Sequence, residues 1–176
     1  MKHNKPLILS AFSIIAVLFF ILENFLPKPL PFFRIGLANI FVLLIMIKID
    51  LFSALIVSLS KIILGNLFSG LLFTPVILFS LLSSLVALLA MYLSTRSKIG
   101  FSLIGISIIG ALFHNITQLG VAYVLLIRNA RIFTLFPIMV VLALITGIIT
   151  GFIATILNNK LQFDSILHRE TSLQRD

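Results

Sequence analysis

Cysteine and tryptophan are both missing from the chain. The first absence excludes disulfides, thiolate nucleophiles and cysteine-ligated metals. The second, with only 2 Tyr, weakens the aromatic belt that marks helix depth at a membrane surface; 17 Phe stand in its place. Charge is scarce too. Lys, Arg, Asp and Glu make up 10% of the residues, against ~25% in ordinary globular domains. No GxxxxGK[ST] stretch occurs, which excludes ATP use through a P-loop. His3, His114 and His168 are too scattered to suggest a metal site. No soluble domain and no long internal repeat is evident.

What is present is apolar. Hydrophobic residues make up 60% of the 176 positions, and mean hydropathy is +1.24. This is the composition of an integral membrane protein. The formal charge of +8 would suit nucleic acid in a soluble chain. Here Lys and Arg fall in loops and at the ends of apolar runs, where topology and anionic lipid headgroups explain them and no nucleic-acid partner is needed.

Six apolar runs predict an all-α bundle of six transmembrane helices over residues 1–157, with a polar cytoplasmic tail at 158–176. Span one covers about Leu7 to Leu26; no small-residue cleavage site lies near Glu23, so it reads as retained. A stiff loop with Pro27, Pro29 and Pro31 follows, and Phe33 to Asn39 opens a second span that ends near Ile49. Span three covers Leu51 to Leu72, and span four runs from Thr74-Pro75 to Tyr92. Span five covers Ser102 to Ile127 and span six Phe133 to Leu157; Ser165 to His168 could add a surface turn of helix to the tail. An even number of spans puts both termini on one side. If that side is cytoplasmic it receives Lys2, Lys5, Lys48, Arg96, Lys98 and Lys160, leaving Lys28, Arg34, Arg128 and Arg131 outside.

The candidate site comes from polar residues inside these runs. Lys61 lies mid-span, where a lysine costs ~2.5–3.5 kcal/mol and one leucine returns only ~0.3–0.6 kcal/mol. It reads as the cationic contact for an anionic substrate or a partner for Glu23, or else as a snorkelling side chain or half of a structural ion pair. His114 and Gln118 are four apart and share a helical face, while Asn115 points to a different neighbour. Asn39, Asn66 and Glu23 add to the outer half, and span four offers mainly Ser80, Ser83 and Ser84. Arg34 near the outer interface could grip a carboxylate or phosphate in bidentate fashion, or anchor a headgroup. Ala143, Gly147, Gly151 and Thr155 recur every four residues, the signature of a helix contact face. That face could meet another span of this chain or a separate subunit.

Three stretches carry a resemblance: PLPFFRIGLANIFVLL (Pro29 to Leu44), SLSKIILGNLFSG (Ser58 to Gly70) and SLIGISIIGALFHNITQLGVAYVLL (Ser102 to Leu126). Together, over about residues 7–157, they resemble the family labelled heptaprenyl diphosphate synthase component I, also called the Gx transporter family. That family in turn looks like the membrane S components of energy-coupling-factor transporters, six-helix proteins that capture nutrients and work with a transmembrane coupling subunit and cytoplasmic ATPases. The resemblance places the polar signature on Arg34, Gly36, Asn39, Lys61, Gly65, His114, Asn115 and Gln118, with Lys61 where an arginine is common. It also implies a small-residue docking face on span one, of which Ala11 and Ala16 are an imperfect version. The similar soluble prenyl diphosphate synthases hold Mg²⁺ on aspartate-rich motifs, whereas Asp50, Asp164 and Asp176 are widely separated. The expectation is therefore a non-enzymatic subunit of a bacterial cytoplasmic membrane that binds a small anionic or polar metabolite and needs no cofactor. The alternatives are a membrane partner of a soluble synthase subunit and a self-contained secondary carrier.

Overall fold

The structure, a computed structural model, describes residues 4–26 and 35–161. Arg34, Lys28, the three loop prolines, Lys2, His3 and the tail from position 162, with its Ser165 to His168 turn, lie outside the described residues. The described chain is all-helical: α1 (Asn4–Phe25), α2 (Asn39–Lys48), α3 (Leu51–Phe68), α4 (Val76–Arg96), α5 (Leu103–Ala122) and α6 (Phe136–Lys160). A π-helical turn, Tyr123–Ile127, extends α5, and a 3-10 turn, Ala130–Leu135, leads into α6. Five helical stretches are long and apolar enough to cross a membrane.

The second span departs from expectation. α2 has only 10 residues, ~15 Å of helix, about half a hydrocarbon core. Its sequence, NIFVLLIMIK, is apolar on every face, as befits a helix enclosed on all sides. Ile40 through Met46 are all buried, and α1, α3, α4 and α6 surround them. Gly36 explains the late start: its φ of +85° is a left-handed conformation that a helix cannot continue through. The turn closes with Asn39 N–H donating to Gly36 O at 2.9 Å and Ile40 N–H to Leu37 O at 3.1 Å.

α3 also ends earlier than expected, at Phe68 rather than Leu72. Gly70 has φ +69°; Leu71 N–H donates to Asn66 O at 2.8 Å and Gly70 N–H to Leu67 O at 3.1 Å. These are the paired bonds of a Schellman stop, which only glycine adopts without strain. At the other end of α3, Asp50 accepts from Ser53 N–H at 2.6 Å and caps the helix. Ser102 caps α5 in the same way, accepting from Gly105 N–H at 3.2 Å.

The helices alternate in direction, so the starts of α1, α3 and α5 share one end, here the basal end, with the ends of α2, α4 and α6. α5 packs most extensively on α6 and α4, and α1 on α3. The small-residue face of α6 is spent inside the chain. A Cβ on Gly147 would sit 2.7 Å from Ile108 Cα, and one on Gly151 2.7 Å from Ile104 Cα. Ala143 is fully buried on the same face, and Ser107 and Thr150 hydrogen bond across the contact at 2.8 Å. Ala11 on α1 is exposed, whereas Ala16 is fully buried.

Gly147→Ala should lower stability by ~1–3 kcal/mol, since backbone rather than a flexible side chain must yield; thermal unfolding in detergent measures it. Gly120→Ala, where a Cβ would meet nothing within 4 Å, is the matching control. A second prediction concerns pH. Lys5 Nζ lies 2.6 Å from Asp50 Oδ2, and this bond, ahead of that from Ser53 N–H, holds the Asp50 carboxyl at about 2 instead of 3.8. A lowered carboxyl stabilises above its unfolded value and ceases to do so as pH falls through its folded one. Both side chains are more than a third exposed, so the contribution stays within ~1 kcal/mol. The stability difference between wild type and Asp50→Asn should be constant above pH 3.8 and shrink as pH approaches about 2.

Candidate functional site

Each of the six helices sends a polar side chain to one region of the interior. α1 brings Glu23 in its last turn. Its carboxylate accepts from Ala38 N–H at 3.1 Å and Gly36 N–H at 3.3 Å. These amides precede α2, whose positive dipole end favours a carboxylate there. Glu23 thus holds the start of the short helix inside the bundle.

α2 brings Asn39, whose Oδ1 accepts from Lys61 Nζ on α3. Lys61 is 2% exposed and lies ~15 Å along α3 from Leu51, too deep for its stem to reach an interface easily. The turn 36–39 is therefore gripped twice, by an anion through its backbone and by a cation through Asn39.

α5 supplies His114, Asn115 and Gln118, all buried. His114 Nε2 lies 3.1 Å from Gln118 Nε2 and 3.5 Å from Ser83 Oγ on α4. Ser83 donates its own hydroxyl proton to Phe79 O. An amide nitrogen can only donate, so in this arrangement His114 Nε2 accepts from Gln118. Asn115 donates to Met139 O on α6 at 3.1 Å, so it fastens α5 to α6 while its neighbour faces the cluster.

Two small voids lie against this network. One, of about 10 Å³, is bordered by Glu23, Lys61, Ser80, Ser84 and His114. The other, of about 20 Å³, is bordered by Ser107, Asn115, His114 and Thr150. Gly36, Asn39 and His114 line both, the first void having charged side chains at its border and the second only neutral ones besides. Each has room for roughly one water.

Of the residues singled out from sequence, Glu23, Asn39, Lys61, His114 and Asn115 border the voids, and Gln118 supports His114. Asn66 does not join them: it is fully buried, borders neither void, and donates to Ile62 O of its own helix at 2.7 Å. Arg34 lies outside the described residues. Ser80 and Ser84 border the charged void and Ser83 touches His114, roles that had not been assigned to them. Their i, i+3, i+4 spacing on one helical face was the available signal. Ser107 and Thr150 carried none, since hydroxyls in apolar helices commonly bond only their own backbone. Among the described residues, no three His, Asp or Glu side chains come close enough to hold a metal.

Apolar helices of membrane-crossing length, closed around charged, amide and hydroxyl groups, define a multi-pass membrane protein with a buried polar centre. The chain belongs to the heptaprenyl diphosphate synthase component I family, whose family model matches residues 12–157. No curated protein and no solved structure matched it.

Glu23→Gln keeps the shape but loses the charge and one of two acceptor oxygens. A loss of ~1–3 kcal/mol is expected, with faster hydrogen exchange at the Gly36 and Ala38 amides; unchanged exchange there would contradict the capping role.

Proposed function

We propose that this protein is the substrate-capturing subunit of an uptake system, and that it holds a small anionic or otherwise polar metabolite between Lys61, Asn39 and His114. The observation behind this reading is the convergence of polar groups from all six helices on two voids inside an apolar bundle. A bundle needing only stability would do better with apolar residues there, because each buried charge carries a desolvation cost that packing side chains do not. In this role Lys61 receives the ligand's negative charge, and Asn39 and His114 add directional hydrogen bonds. Gln118 and Asn115 position the α5 face, and Glu23 anchors the turn 36–39.

The voids are far below the ~300 Å³ of a typical ligand pocket. Admission therefore requires the turn 36–39 to withdraw, with the ligand's anionic group taking the place of Asn39 Oδ1 on Lys61. A short helix ending inside the bundle suits such a movement, as discontinuous helices do in transporters. With no P-loop of its own, the protein would draw energy from a transmembrane coupling subunit and cytoplasmic ATPases. Exposed Ala11 on α1 is a candidate contact for that subunit. The basal end gathers Lys5, Lys48, Arg96, Lys98 and Lys160 against Arg128 and Arg131 opposite, which favours both termini in the cytoplasm of a bacterial cell. The role is one of binding, not catalysis.

The family's description favours a second reading, a non-catalytic membrane partner of a soluble prenyl diphosphate synthase subunit. Mass spectrometry of gently purified protein separates the two. Capture predicts a co-purifying metabolite that is lost, at least tenfold, from Lys61→Ala and His114→Ala variants that still fold; the synthase reading predicts a soluble Asp-rich partner and no metabolite. Unchanged ligand affinity in both variants would sink the site assignment.

A further inference from the structure

A second and larger hollow, of about 640 Å³, lies at the basal end, lined by the α2–α3 turn and the α4–α5 connection. It shares no lining residue with the two voids around His114. Its deep wall is apolar, with Met46 and Ile106 buried, and the large exposed rings of Phe52 and Phe101 flank it. Its polar wall carries Thr95 and Arg96.

Two charged groups face this hollow, and only one is spent. Asp50 accepts from Lys5 at 2.6 Å and from Ser53 N–H at 2.6 Å, so its charge is balanced and both its oxygens are engaged. Arg96 pairs with no carboxylate among the described residues. Its guanidinium carbon stands 5.3 Å from the centre of the Tyr92 ring, a stacking that fixes the fork while leaving its N–H groups available. The hollow therefore combines a held guanidinium with greasy walls, at the end of membrane-crossing helices where headgroups lie.

We propose that this hollow binds an anionic phospholipid, its phosphate on Arg96 and an acyl chain against Phe52 and Phe101. Basic pockets between helices at a membrane face recognise such headgroups, and the arginine fork matches two phosphate oxygens at once. A free phosphate would satisfy Arg96 but leave the apolar walls uncovered; a zwitterionic lipid would cover the walls while bringing its own cation to Arg96. The site is independent of metabolite capture at His114.

The test uses the full-length protein, stripped of lipid and titrated in detergent with phosphatidylglycerol, phosphatidylcholine or glycerol phosphate under native mass spectrometry. Phosphatidylglycerol should be retained preferentially, and Arg96→Gln should reduce that preference about fivefold. Lys160→Gln, at the same end but outside the hollow, should leave it intact. Equal retention of the two lipids, an unchanged preference in Arg96→Gln, or displacement of lipid by glycerol phosphate would overturn the proposal. Because the chain has no cysteine, a fluorophore on Thr95→Cys gives a readout with Arg96 in place. Nitroxide-labelled phosphatidylglycerol should quench it more than the phosphatidylcholine equivalent, and equal quenching would also refute the site.

Discussion

The bond from Glu23 to the backbone ahead of α2 is the constraint on which the rest of the structure depends. A helix that begins inside an apolar bundle leaves amide groups pointing at hydrocarbon, and each unsatisfied one costs several kcal/mol. Glu23 meets two of them, at Gly36 and Ala38. In return the partly positive helix terminus gives a buried carboxylate a reason to stay buried. Neither element is stable there without the other. The short helix and the charge in α1 are one device.

Further features follow from that arrangement. Because α2 starts deep, Asn39 arrives beside Lys61 in α3, and a lysine far from either membrane surface gains an acceptor. Because α2 is enclosed, the other helices close round it; α4 and α5 bring Ser80, Ser84 and His114 to the void that this turn borders, with Ser83 and Gln118 against His114. α5 and α6 can approach closely because Gly147 and Gly151 remove the side chains that would keep them apart. Ser107, Thr150, Asn115 and Met139 then hold that pair by hydrogen bonds. Small residues set the distance between helices, and polar ones set their register.

The two ends of the bundle divide its chemistry. The interior near the start of α2 is tight, hydrogen-bonded and partitioned into water-sized spaces. The basal end is open, with a hollow bounded by rings and a single held guanidinium. An ion pair at that end, Lys5 with Asp50, ties the beginning of α1 to the turn between α2 and α3. α1 is thereby fixed to the short helix both above, through Glu23, and below.

Much of this was legible without coordinates, for reasons that differ by residue. The membrane class and most spans follow from hydropathy, because lipid demands long apolar runs whatever the tertiary arrangement. Lys61, His114 and Asn115 were identifiable because a strongly polar group in such a run is costly wherever it points. Asn115 was expected to face a different neighbour from His114, and it does, since the i, i+1 offset follows from helical geometry alone. The length of α2 was not legible: its hydropathy continues through Phe33 to Leu37, and the stop depends on a backbone angle at Gly36 and a carboxylate thirteen residues away. The separation of Asn66 from the cluster, and the entry of Ser80 and Ser84 into it, turn on how helices rotate about their axes. Hydropathy is blind to that rotation, because lipid-facing and core-facing positions are both apolar. Local composition thus sets what each segment must be, while the partner of each buried polar group is chosen only when the helices pack.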